Sequence, residues 1–434
     1  MLQLELSELF SFNHLFDFQS ITLMKELATL IAATFVSTAL TTFAAPVQAD
    51  SPSASIVKPI NDLGYGTFSG RVQLLAMYRD FEDTAAGDYG DATTLGVVLN
   101  YQSPEFSGFD VGAAYNYAFT LEDGNNTDLL HNDDINVINE AWARYNFEAF
   151  DLEGTQAMIG RQINNGEVFR KDDYRQKARA LEAAQFTTTD ISDLALTIGH
   201  AIELSNWMDS TSTSGVDRWD FNDFGDVFGT DYDTDGVTWV EAIYTGVEKW
   251  EIALFNACAW DVTNLIGTRI QYNFSDDATL TGYYRHEGDI GKAESRNSDA
   301  YGLSYSQKVG QFTLEPGYFG VHGSKLRFQE TTTGINHPLG ASMIIYANQF
   351  NGGAQTAYFK VTTKVNKTVL YALYNYTWQD NADYDAQELN FVAKHPITDR
   401  LTASFKGAFG HRDGNSGNGD TTATDARLFL TYMF

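Results

Sequence analysis

The sequence predicts an all-β fold: a transmembrane antiparallel β-barrel of about 18 strands with periplasmic termini. Three observations predict it. From Gly66 to Phe434, apolar and polar residues alternate with a period of two in successive segments of about ten residues. The connections between these segments alternate short and long. The last segment places Ala426, Leu428, Leu430, Tyr432 and Phe434 on one face and ends in an aromatic residue.

Composition removes the competing classes. The chain has 434 residues, 28 basic and 57 acidic, for a net charge of −29. Phosphate contacts need a basic surface, so nucleic acid is excluded as a partner. Cys258 is the single cysteine, which rules out an internal disulfide or a cysteine-based metal site. A mean hydropathy of −0.27 is too polar for a bundle of membrane helices.

The first element is a targeting segment. Met24-Lys25-Glu26 precedes the apolar run Leu27 to Ala45 and a small-residue exit ending at Ala49. This is the pattern of a cleaved secretory signal peptide. Residues 1–49 are read as leader and signal peptide, with Met24 as the true start. Residues 50–65 form a short periplasmic segment, too short for a plug domain, and 66–434 form the barrel.

The strands follow. Leu401 to Phe409 and Ile266 to Phe274 show the alternation of a wall with one apolar and one polar face. Short connections include Ser103-Pro104-Glu105, Val309-Gly310, Val365-Asn366-Lys367 and His395 to Asp399. Long ones include Leu121 to Asp134, Gln162 to Ala180, Asn206 to Gly236 and Gly323 to Ala354. Short periplasmic turns and long outer loops are the outer-membrane arrangement. The surrounding lipid and lipopolysaccharide are then the barrel's solvent. About 18 strands leave an aqueous channel, which implies a pore for small hydrophilic solutes.

Alternation also identifies the lumen face. Phe68, Val72, Leu74 and Ala76 point to lipid, so Arg71, Gln73 and Arg79 point inward. The same parity places Arg144, Arg269, Arg285, Lys360, Lys406 and Arg427 inside. Any charge in a barrel strand avoids lipid. That rule does not explain an excess of Arg and Lys there while the outer loops are rich in Asp. Trp207 to Asp235, for example, holds eight Asp and one Arg. With Arg71, these residues are read as an inward basic track.

The segment from Arg161 to Arg179 is the strongly basic stretch, with six basic and three acidic residues. Arg161, Arg170, Lys171, Asp172, Asp173, Arg175, Lys177 and Arg179 are read as a constriction loop, near 162–180, folded into the lumen. Fixed charges at a narrowing set selectivity. The alternative is a solvated outer loop that binds lipopolysaccharide phosphates.

Gly160-Arg161-Gln162 ends a strand and is followed by Asp172-Asp173-Tyr174-Arg175, Phe186 and Leu194 to His200. In these residues the sequence resembles the OprD-type substrate-specific outer-membrane porins. The resemblance implies an 18-stranded barrel, a monomer or loose homotrimer. It also implies a third outer loop inside the lumen and a ladder of arginines that guides carboxylate-bearing solutes. Gln176-Lys177-Ala178 stands where the family has a leucine-proline step, so substrate choice is not carried over.

Asp231, Asp233 and Asp235, followed by Gly236, match the first half of a calcium loop. Position twelve falls on Ala242, and a solvated acidic loop is the competing reading. No other cofactor is implied. His411, Asp413 and Ser416 lie in a Gly- and Asn-rich turn, and no G-x-S-x-G or H-E-x-x-H is present. The chain is therefore read as a passive diffusion channel and not an enzyme, with preference for anionic or carboxylate-bearing solutes. The alternatives are a sugar or oligosaccharide porin with stacking residues Trp142, Tyr283, Tyr305 and Tyr358, although alternation puts Tyr305 on the lipid side, or a barrel-borne hydrolase or a structural or adhesive outer-membrane protein.

Overall fold

The computed structural model describes residues 61, 64–82, 88–123, 134–173, 175–206, 219–293, 295–330, 348–379, 384–414 and 420–434. Residues 1–49, read above as leader and signal peptide, and nearly all of 50–65 lie outside them.

The first wall strands are β1 (Thr67–Glu82), β2 (Asp88–Gln102), β3 (Phe109–Asp123), β4 (Ile135–Asn146), β5 (Thr155–Gln162), β6 (Ala180–Ile191) and β7 (Leu194–Ser205). A three-residue strand, β8 (Phe221–Asp223), belongs to the following loop and pairs with the end of β7. The wall continues through β9 (Val237–Tyr244), β10 (Trp250–Ala259), β11 (Thr263–Ser275), β12 (Ala278–Asp289), β13 (Asn297–Val309) and β14 (Phe312–Gly323). It ends with β15 (Ala354–Val365), β16 (Thr368–Gln379), β17 (Tyr384–Pro396), β18 (Leu401–Gly414) and β19 (Thr421–Met433). Setting β8 aside, the wall is a closed antiparallel barrel of 18 strands.

Closure pairs β1 with β19, Arg71 opposite Met433 and Glu82 opposite Thr422. The Phe434 N–H donates to the Gly70 carbonyl at 3.0 Å and the Gly70 N–H returns the bond at 3.1 Å. The C-terminus therefore lies at the short-turn rim beside the start of β1. A closed sheet leaves no open edge in lipid, where an unpaired backbone group has no water to bind.

The outward face follows the alternation. Ile138, Ile159, Ile198, Leu254, Ile266 and Leu303 are exposed large apolar side chains on six of the strands. Register shifts change the parity in places, in β7 between Ala201 and Leu204 and in β4. The register between β3 and β4 slips between Ala114 and Tyr115, so Asn139 and Glu140 form a bulge. Glu140, Trp142 and Arg144 stay inward while Ile135 and Val137 also face in. The loop alternation is not strict either. The outer connection between β10 and β11 is residues 260–262 only, a tight turn in which Asp261 takes a positive φ of 62°.

The core lies inside the barrel. Inward residues Trp239, Phe255, Leu265, Tyr283, Phe319, Val321, Tyr358 and Leu373 form one buried cluster with loop residues. Val168 and Phe169 come from the loop after β5. Phe224 and Phe228 come from helix α1 (Phe224–Phe228), in the loop after β7. Leu326, Phe328 and Phe350 come from the loop after β14, which holds α2 (Arg327–Glu330). The β9–β16 side of the lumen is thus filled by packed side chains. Close approach helps: Tyr358 lies flat over Gly317, its register partner, where a Cβ would sit 2.2 Å from the ring. Any larger residue would push that ring into the core.

Candidate functional site

The loop joining β5 and β6, residues 163–179, runs inside the barrel. At one end the Glu241 carboxylate on β9 accepts the Glu167 N–H at 3.0 Å and the Val168 N–H at 2.7 Å. Phe169 meets Trp239 edge-on at 5.2 Å between centroids. Glu167 then accepts both Nε and Nη2 of Arg269 on β11, at 3.0 and 2.6 Å, and Glu251 of β10 pairs with the same guanidinium at 2.8 Å.

At the other end the loop is fastened to β1 and β2. Asp173 forms a forked ion pair with Arg71, whose Nη2 reaches the second oxygen at 2.7 Å. Gln73 Nε2 donates to the Arg175 carbonyl at 2.6 Å, and Gln176 Nε2 donates to Thr94 Oγ1 at 2.6 Å. Gln176 fits because Gly96 leaves its space open; a Cβ there would lie 2.2 Å from Gln176 Oε1.

The basic loop residues divide by environment. Lys177 is buried and its Nζ donates to Ser205 Oγ at 2.7 Å and to the Asn206 carbonyl at 2.5 Å. Arg179 pairs with Asp172 and donates to Asn206 Oδ1 at 3.1 Å. Both residues bind this loop to the root of the next one. Arg170 pairs with Asp172 at 2.9 Å, Arg175 is buried, and Lys171 is exposed. Arg161, placed in the constriction by the sequence reading, is instead at the loop's base. It pairs with Glu182 at 3.1 Å and lies 4.1 Å over the Phe221 ring.

The strand residues of the basic track all have inward parity, yet they do not share one surface. Arg285 corrects the sequence reading most clearly. Its side chain is 0% exposed, beside Glu287 at 3.2 Å. Glu287 accepts the Arg327 N–H at 2.7 Å and the Phe328 N–H at 3.3 Å, so the loop after β14 closes over the pair. Alternation reports which side of the wall a residue faces and not what lies on top of it. Arg144 pairs with Asp110 at 2.6 Å, and Lys360 with Glu315 at 3.7 Å.

The seam of β18, β19 and β1 is different. Lys406 is directly opposite Arg427 in the register, and Arg79 is directly opposite Asp425. Asp425 accepts from Arg427 Nε at 2.7 Å and from Arg79 Nε at 2.8 Å. Lys406 also sits 5.0 Å over the Phe429 ring. Sequence reasoning named Arg79 as inward but left it out of the track. It also missed Glu241 and Asp425, although both have the inward parity of their strands.

Asp231, Asp233 and Asp235 are exposed in the loop after β7. Among the described residues, the group whose potential ligand atoms converge within 4.8 Å is His411, Asp413 and Asp420. His411 Nε2 lies 2.7 Å from Asp413.

The profile of the outer membrane porin, OprD family, matches residues 66–360. No curated protein matches the chain in sequence. Its fold is similar to that of Acinetobacter baumannii OccAB1, at 14% identity and a TM-score of 0.67, covering 85% of this chain and 96% of that one. It is similar to Pseudomonas aeruginosa OpdK with vanillate, at 16% identity and a TM-score of 0.67, covering 85% and 98%. It is also similar to Pseudomonas aeruginosa OccK2 (OpdF) in complex with glucuronate, at 16% identity and a TM-score of 0.65, covering 85% and 98%. With the family profile spanning more than half of the sequence and the barrel closed around an inward loop, this chain belongs to the OprD family of outer-membrane porins.

Proposed function

We propose that the channel passes small hydrophilic solutes that carry a carboxylate or another anionic group. The observation that supports this is the seam of β18, β19 and β1. Among the described residues, Arg71, Arg79, Lys406 and Arg427 share it with the carboxylates Asp173 and Asp425. Elsewhere among the described residues, Arg144 is matched by Asp110, Lys360 by Glu315, and Arg269 by Glu167 and Glu251. Like charges directly opposite in a sheet are destabilising, so the Lys406–Arg427 pairing is a cost that an anion in the lumen would offset. Guanidinium forks suit a carboxylate because two parallel donors meet two oxygens.

The outer loops are acidic and oppose anion entry at long range. Salt limits that field to about 8 Å at physiological ionic strength, so the nearest fixed charges in a narrow lumen dominate. The relatives crystallised with vanillate and glucuronate held carboxylates, which agrees with this reading. The sugar reading is weakened because Tyr283 and Tyr358 are buried in the core and offer no stacking face.

The test is planar-bilayer recording in a KCl gradient. Arg79→Gln/Lys406→Gln should move the reversal potential toward cation selectivity relative to the wild type. A strongly cation-selective wild type that the double substitution leaves unchanged would reject the anionic reading. Export with removal of residues 1–49 completes the proposal, and N-terminal sequencing of the mature protein starting at Asp50 would support it.

A further inference from the structure

The geometry points to Asp173 as a built-in competitor for the solute: a loop carboxylate that occupies the Arg71 guanidinium and is displaced when a solute carboxylate takes its place. This deepens the anionic reading above and rests on it.

Three observations carry the inference. The first is the shape of the pair. Arg71 Nη1 and Nη2 meet the two oxygens of Asp173, the forked geometry in which a free carboxylate would bind the same residue. The second is access. The Arg71 and Asp173 side chains are 17% and 25% exposed, so both are reachable from the lumen. Asp110, Asp425 and Glu287, the acids paired with Arg144, Arg427 and Arg285, sit on the wall and are buried. Glu167, the other loop acid on a wall arginine, is buried as well.

The third observation is that the loop does not need this ion pair to stay in place. Gln73 holds the Arg175 carbonyl at 2.6 Å, and Gln176 holds Thr94 at 2.6 Å. Arg71 itself also donates to the Gln176 carbonyl at 3.2 Å. Asp173 can therefore turn off Arg71 while the guanidinium and the loop backbone keep their positions. One carboxylate replaces another on the same fork, so the number of charge-assisted hydrogen bonds is unchanged. Entry costs little, and the return of Asp173 helps the solute leave. Conduction needs that balance, since a site that binds too well blocks its own channel.

Benzoate serves as the probe, added to single channels in KCl, with block of the ionic current as the readout. Removing the competitor makes Arg71 fully available, and apparent affinity scales with the available fraction. Asp173→Asn should therefore tighten benzoate block by about tenfold for a site that Asp173 occupies nine-tenths of the time. Asp173→Ala should do the same. Asp173→Glu, which keeps the charge, should stay near the wild type. Arg71→Gln/Asp173→Asn should lose the gain, because the fork itself is gone.

Unchanged block in both neutral variants, or a gain that survives in the double variant, would overturn the proposal. The two readings fail separately. KCl reversal potentials of Arg79→Gln/Lys406→Gln report on the anionic seam, whereas the coupling between Asp173 and Arg71 in benzoate block reports on competition. Heat-shifted gel mobility of each variant checks that the barrel is folded.

Discussion

Arg71 and Arg269 stand on opposite walls of the barrel, nine strands apart in either direction, and each grips a carboxylate of the same loop. Asp173 answers the first and Glu167 the second. The two acids are separated by only five intervening residues, so the segment between them is strung across the lumen. A loop tied at both ends by ion pairs and backbone bonds has few conformations left to lose. Its backbone is therefore held in place, and Asp173 is left with the freedom of its side chain alone.

The seat of that loop on β2 can be probed at Gly96. A Cβ there would meet Gln176 Oε1 at 2.2 Å, and Gln176 is pinned by Thr94 and Gln73 and cannot easily turn aside. Gly96→Ala should cost about 1–3 kcal/mol of local packing. The expected sign in single-channel records is added flicker, with the unitary current of the closed-packed state retained between events.

Arg285 is inside the barrel but not in the channel. Arg285→Met removes the cation beside Glu287, whose carboxylate stays buried under the Arg327 and Phe328 amides. Stripping one partner from a buried pair costs about 3 kcal/mol or more. The variant should unfold at lower urea in gel-mobility assays while its reversal potential in a KCl gradient matches the wild type.

Phe328 joins two inward loops. It meets Phe228 edge-on at 5.4 Å and is fully buried in the cluster that fills the β9–β16 side. Phe328→Ala should cost about 3–5 kcal/mol locally. The loop after β14 should then leave its seat part of the time, and recordings should show a second, larger conductance level absent from the wild type.

The outer loop after β7 should depend on pH. Burial, then the neighbouring Asp223 and Asp233 carboxylates, hold the Asp226 acid above its ordinary value. The folded loop thus favours the protonated form. Its stability is greatest at low pH and falls as pH rises from the ordinary carboxylate range through the raised value. Asp226→Asn keeps the backbone bond to the Asp223 cap and removes the charge. Amide exchange in α1 should be slower in the variant than in the wild type at neutral pH, and equal in the two near about pH 3.

By itself the sequence determined the wall. Period-two alternation is a local property, so it assigned Arg71, Arg144, Arg269, Lys360, Lys406 and Arg427 to the inward side, and the C-terminal Phe434 marked the closing strand. Only the tertiary structure decided which inward residues face water. Arg285 and Tyr283 have the same parity as Arg269, yet Leu326 and Phe328 from a loop some forty residues away cover them. Pairing was hidden for the same reason. Asp173 meets Arg71 across 102 positions and Glu167 meets Arg269 across another 102. Alternation sets the direction of a side chain through the backbone of its own strand, whereas access and neutralisation depend on where distant loops pack.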